Sequence, residues 1–196
     1  MATEKPMDES GETASRQDSR SDRELIAALN AGDPLAFEVL YHRYRDWVVG
    51  LGYRLTGDRE IALDVLQETF LYFVKKFPGF QLTASLKTFL YPAVKHLSIN
   101  ARRQSQRFQS NESELEELEI SVATDPIRAE EDTLHAVLAT LSPGHREVLW
   151  LRFVDGLSLG EIAEALDLPL GTVKSRLHNA LGILREEKRT KKFFER

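Results

Sequence analysis

Arg176 and Asn179 stand three residues apart in the stretch LGTVKSRLHNALGILRE, with Thr172, Lys174, Ser175 and His178 around them. Arginine can fork onto the major-groove edge of guanine and asparagine onto that of adenine, each good pair contributing about 1–3 kcal/mol of discrimination. For this chemistry the side chains must project from one rigid face. Val173, Leu177, Ala180, Leu181 and Leu184 recur at helical spacing and form an apolar stripe, which turns Thr172, Ser175, Arg176, His178 and Asn179 away from the core, with Lys174 at the flank. The first two turns of that outer face carry no acid, whereas a merely solvated helix mixes Glu with Lys. Amides near Gly171 to Val173, at the start of the helix, suit a phosphate.

The element that must position this face precedes it. Leu159, Ile162, Ala163 and Leu166 lie at i, i+3, i+4 and i+7, Ser158 and Glu161 have the spacing of a capping box, and DLPLG breaks the chain before the second helix. Two short helices so joined are a helix-turn-helix, which sets its second helix in the major groove. The plainer reading is a helical hairpin whose polar face meets only water. The ending REEKRTKKFFER adds cations that act on salt-dependent affinity rather than on sequence choice.

A second set lies upstream. Between Glu68 and Glu112 no carboxylate side chain occurs, while Lys75, Lys76, Lys87, Lys95, Arg102, Arg103 and Arg107 are interleaved with Phe70, Tyr72, Phe73, Phe77, Phe80, Phe89, Tyr91 and Phe108. Cations that track phosphates and rings that stack on bases are the ingredients of single-strand binding. Phe70, Phe73 and Phe77, at helical spacing, read as core. Phe80, Phe89 and Tyr91, near the loop GFQLTASL, are the candidates for holding a base drawn out of a duplex, a melting device that hydrolyses nothing.

Helical periodicity dominates along the chain and alternation is scarce, so the fold class is all-α. Residues 1–21 are polar and read as a disordered tail. Residues 22–108 carry four helical patterns: Leu25, Ile26 and Leu29; Phe37, Leu40, Tyr41 and Tyr44 after a break at GDP; Ile61, Val65, Leu66, Phe70 and Phe73 running to an FPG turn; and a fourth from about Ser85 to Gln106. Short connections make these a bundle. Residues 109–132 hold nine acidic side chains against one arginine and read as an acidic flexible linker, or as an acidic decoy for a cationic surface. Residues 133–196 hold the second small domain, in which Ser142, Pro143 and Gly156 mark the cap, first position and end of a helix that precedes the helix-turn-helix. Two separately folded parts are expected.

The remaining composition narrows the chemistry. The net charge of −5 is an average over strongly segregated segments. There is no cysteine, which excludes disulfides, thiolate nucleophiles and Cys-zinc sites, and the five histidines lack ligand spacing, so neither metal nor cofactor is expected. No phosphate-binding glycine loop and no acidic metal cluster occurs, so the chain is not read as an enzyme. No apolar run is long enough for a membrane span and the start lacks a signal core, which predicts a cytoplasmic protein without membrane insertion.

Two blocks carry a family resemblance. DVLQETFLYFVKKF, residues 64–77, resembles the region 2 signature of bacterial RNA polymerase sigma factors, and LSPGHREVLWLRF with GLSLGEIAEALDLPLGTVKSRLHNALGILRE resembles their region 4. The length and two-part layout are similar to the extracytoplasmic function (ECF) group. The resemblance implies a transcription initiation factor that binds core polymerase, meets the flap, recognises the −35 element in duplex DNA with the second domain, and opens the −10 element on the non-template strand with the first. It places Asp64, Gln67 and Glu68 against the clamp helices of the largest subunit, where charge complementarity sets specificity and encounter rate. It aligns SLKTFLYPAVKHLSINARRQ with the −10 segment, adding Lys87, Lys95, His96, Asn100, Arg102 and Arg103 to Phe80, Phe89 and Tyr91. Three positions depart from the family pattern: Pro92 for Arg, His96 for Asn and Asn100 for Asp. Pro92 implies either a kink or a helix that starts later. An anti-sigma partner is also implied. The rival is a helix-turn-helix regulator of the response-regulator output type, acting without being a polymerase subunit; a scaffold that binds only proteins is a third class.

Overall fold

The computed structural model describes residues 18–109 and 138–186. The expected linker, the basic ending from 187 and the tail up to residue 17 lie outside the described residues. The described residues contain no strand, and the chain is all-α as the periodicity predicts. In the first block α1 spans Asp22–Asn30, α2 Pro34–Thr56, α3 Arg59–Val74 and α4 Leu86–Gln109. In the second, α5 spans Pro143–Leu149 and continues as a π-helical turn Trp150–Val154, followed by α6 Leu159–Leu166 and α7 Leu170–Glu186.

The caps explain where these helices begin. Ser21 and Glu24 form a capping box at α1, the Asp33 side chain accepts from the Leu35 N–H with Pro34 at the first position of α2, and the Asp58 carboxylate accepts from Glu60 and Ile61 at α3. Gly57 ends α2 with φ +73°, a left-handed conformation that costs glycine nothing. α2 and α3 pack tightly because Gly52 has no side chain: a Cβ there would lie 3.3 Å from Ala62. Ser158 and Glu161 make the expected capping box at α6. Ser142 does sit at the N-cap of α5, but its side chain makes no capping bond; its carbonyl instead accepts from His145 and Arg146 at 3.1 and 3.0 Å. α4 begins at Leu86 and runs through Pro92, so the later start does not hold. Pro92 is exposed, and the helix forgoes there the N–H that would serve the carbonyl of Thr88.

The two blocks pack against each other rather than standing apart. One apolar core runs from Leu25, Leu40, Val48, Phe73, Leu86, Leu90 and Val94 of the first block into Val148, Leu151, Leu157, Ile162 and Val173 of the second. A smaller cluster of Leu138, Leu141, Leu149 and Ala180 closes the far side of the second block. Arg146 is buried there, its guanidinium donating to the carbonyls of Leu138 and Leu141 at 3.0 Å and so pinning the turn before α5.

Candidate nucleic-acid interface

The apolar stripe of α7 faces inward as its spacing predicts. Val173 and Ala180 are buried and Leu177, Leu181 and Leu184 half-buried, while Lys174, Ser175, His178 and Asn179 are exposed and Thr172 and Arg176 half-buried. The Arg176 guanidinium lies along the first turn of α5: a Cβ on Gly144 would come within 3.0 Å of it. The Ser175 hydroxyl donates to the Thr172 carbonyl at 2.9 Å. The N–H groups of Thr172 and Val173 donate to the Pro169 carbonyl, at 2.9 and 3.2 Å, which takes two of the three amides expected at a phosphate out of that role.

The candidates on α4 divide into two faces, because about 100° per residue separates them. Phe89, His96, Asn100 and Arg103 fall on one side. His96 and Asn100 are exposed and share a hydrogen bond of 2.9 Å, Arg103 is exposed, and the half-buried Phe89 ring stacks on Tyr72 with centroids 5.9 Å apart. Lys76 lies 4.4 Å over the Tyr72 ring, adding a cation to the same surface. Phe80 is half-buried among Phe73, Phe77 and Phe89, and its loop is held by Asn30, which donates to the Phe80 carbonyl at 2.8 Å and accepts from the Gly79 N–H at 2.7 Å.

Lys87, Tyr91 and Lys95 fall at i, i+4 and i+8 on the other face, and each is bonded to the second block, with Tyr91 buried and Lys87 and Lys95 half-buried. Tyr91 is only 2% exposed, with its hydroxyl donating to Glu147 Oε1 at 2.5 Å. Lys95 Nζ reaches the same oxygen at 2.5 Å, and Lys87 Nζ donates to the Asp155 carbonyl at 2.7 Å. Burial, followed by the negative charge of Glu147, pushes the Tyr91 phenol well above its usual range, so it stays a neutral donor. Arg102 is half-buried towards this side.

Four residues essential to this arrangement carry no local signal in the sequence: Trp47, Arg54, Glu147 and Asp155. The Asp155 side chain is 1% exposed, and its carboxylate accepts from Trp47 Nε1 at 2.8 Å and from Arg54 at 2.9 and 3.0 Å. Arg54 also lies 5.3 Å over the Trp150 ring. At the rim, Thr83 donates to Glu164 Oε1 at 2.9 Å. Arg54, Glu147 and Asp155 are charges set among apolar helical positions, and nothing beside them names their partners.

Asp64, Gln67 and Glu68 are all exposed on α3, away from these faces. Beside them Leu63 and Leu71 are 43% and 53% exposed, an apolar pair that the periodicity had left unassigned. Among the described residues no group of acids and histidines is placed to hold a metal, and no helix is long and apolar enough to cross a membrane.

Residues 40–108 match the family model Sigma-70 region 2, and residues 137–186 match Sigma-70, region 4. The ECF RNA polymerase sigma factor SigW of Bacillus subtilis (strain 168) is 28% identical over 85% of this chain and 96% of its own length. The RNA polymerase sigma-H factor of Pseudomonas aeruginosa is 30% identical over 81% and 89%, and the sigma factor YlaC of B. subtilis 32% identical over 74% and 87%. In fold, the chain resembles CnrH in its complex with the cytosolic domain of CnrY, with a TM-score of 0.59 at 23% identity over 83% of this chain and 93% of the other. It also resembles the sigma factor RpoE bound to the anti-sigma factor NepR from Bartonella quintana, with a TM-score of 0.56 at 23% identity over 76% and 94%.

Proposed function

Because the chain belongs to the sigma-70 family of RNA polymerase sigma factors, in its ECF group, and is thus a promoter-specific initiation factor rather than an enzyme, we propose a division of labour between its two blocks. The second block reads the −35 element as duplex, through Arg176 and Asn179 at base edges and Thr172, Lys174, Ser175 and His178 around them. The first block opens the −10 element and holds the displaced non-template strand, with Phe89, His96, Asn100 and Arg103 on its open face, Phe80 in the adjoining loop, and Lys87, Tyr91, Lys95 and Arg102 on the face towards the second block. Asp64, Gln67 and Glu68, with Leu63 and Leu71 beside them, dock on the clamp helices of the core polymerase, and the second block meets the flap. A protein of the anti-sigma kind restrains the factor in the cytoplasm.

The observation that carries the reading is the acid-free outer face of α7, with Arg176 and Asn179 on a helix-turn-helix, in a chain whose other block presents cations and rings on α4. A regulator of the response-regulator output type would share the helix-turn-helix but has no use for a region 2 block. The test is run-off transcription with purified core polymerase and a randomised promoter library. The full chain is expected to select a two-element promoter. Asp64→Lys or Glu68→Lys is expected to abolish polymerase binding with the helical circular dichroism spectrum unchanged, and retained binding would remove the clamp assignment.

A further inference from the structure

Resting on the reading of α7 as the helix that enters the major groove, we infer that Gly144 is a positioning residue for −35 recognition: its missing side chain gives the Arg176 guanidinium a seat on α5 that fixes where it points. A glycine at this place is otherwise unexplained. It is the second residue of α5, in ordinary helical backbone, where alanine suits a helix better because glycine has more conformational freedom to lose. A Cβ built there would stand 3.0 Å from Nη1, 3.2 Å from Cζ and 3.6 Å from Nε of Arg176. The first thing a methyl group would meet is therefore the guanidinium. Gly160, at the second position of α6, shows the contrast, since a Cβ there would meet nothing nearer than the Ser158 hydroxyl at 4.0 Å.

Both ends of this contact are held. On α5, the buried Arg146 donates to the carbonyls of Leu138 and Leu141 at 3.0 Å, and the Ser142 carbonyl closes the first turn on His145 and Arg146. On α7, Ala180 and the half-buried Leu177 share an apolar cluster with Leu149 of α5. A guanidinium reads guanine by presenting two N–H groups in one plane. A free arginine scatters that fork over many rotamers and must give up the freedom on meeting a base, whereas one already laid on a surface has less to lose. Arg176 is half-buried while Lys174, Ser175, His178 and Asn179 are exposed, as befits a long side chain resting on a neighbouring helix. Because Nη1 is the far end of a flexible side chain, a methyl at 144 moves the guanidinium and leaves α5 and α7 in place. The fold tolerates that change, and base reading does not.

The test uses the full chain with core polymerase on a promoter library randomised over the −35 element, read by sequencing the bound fraction, with thermal unfolding of the free chain alongside. Gly144→Ala is expected to lower discrimination about fivefold or more at the single base position that Arg176→Ala relaxes, with the other positions kept and the unfolding midpoint unchanged or raised. Gly160→Ala is expected to leave every base preference as in the wild type. On the Arg176→Ala background, adding Gly144→Ala is expected to change no preference further, since the one residue acts through the other. Wild-type discrimination in Gly144→Ala, a loss equal on every sequence, the same loss from Gly160→Ala, or a further loss in the double variant each overturns the role of Gly144. So does a lowered midpoint for Gly144→Ala, which would mean that the guanidinium has no room to move aside. If Arg176→Ala itself relaxes no position, the reading of α7 fails and takes this one with it; if Arg176→Ala relaxes a position and Gly144→Ala does not, only the positioning by Gly144 fails.

Discussion

The row Lys87, Tyr91 and Lys95 on α4 and the outer face of α7 are both cationic and both mounted on long helices, and both are proposed here to meet nucleic acid, yet the structure treats them oppositely. On α7 Lys174, Ser175, His178 and Asn179 meet solvent, whereas on α4 Lys87, Tyr91 and Lys95 are each engaged by Glu147 or Asp155. The difference teaches that residue type alone does not say whether a surface is available. Availability is decided by acids that lie far away in sequence.

The comparison can be pressed hardest at Asp155. Replacing it with alanine leaves the Arg54 guanidinium, whose side chain is 23% exposed, without its carboxylate. Breaking such a pair costs about 3 kcal/mol of the closed arrangement, read as an early transition in urea denaturation. A shift of a few tenths would mean that apolar packing alone holds the row covered. On the open side, Arg176→Ala is expected to relax preference at one base position by about 2 kcal/mol in a binding-site selection, with other positions unaffected. Equal loss on every sequence would reduce Arg176 to a phosphate contact. The finest test concerns the helix that lies between the two faces. Ser158→Ala removes the hydroxyl that accepts from the Glu161 N–H at 3.2 Å, a cap worth about 1 kcal/mol to α6 in thermal unfolding, without change in base preference. A change in base preference would show that α6 sets the pitch of α7 in the groove.

Much of the fold was legible because its determinants are local. The breaks at GDP, TGD, FPG and DLPLG, the capping box at Ser158 and the stripe ending at Leu184 each lie within a few residues of what they specify, and the helices fall where those signals put them. The acid-free face of α7 was legible for the same reason. The covering of α4 was not, since Trp47 and Asp155 are 108 residues apart and Tyr91 and Glu147 are 56 apart, and nothing near either member announces its partner. Asp155 reads locally as the polar end of a helix before Gly156. Tyr91 reads as a ring near a loop, and its type does not distinguish a stacking platform from a buried donor. Ser142 shows the converse case: the right residue at the right position, with the bond made by its backbone instead of its hydroxyl.

The π-helical turn at Trp150–Val154 gives this arrangement its phase. A wider turn spends one residue more than an ordinary helix to reach the same height, so every side chain after it is rotated from where regular winding would aim it. Asp155, immediately following, points inward to Trp47 and Arg54, while Phe153 and Val154 are 63% and 53% exposed. Winding the same five residues as an ordinary helix would therefore swing the carboxylate away from Trp47 and Arg54, whereas removing one residue together with the wide turn would leave it aimed as it is.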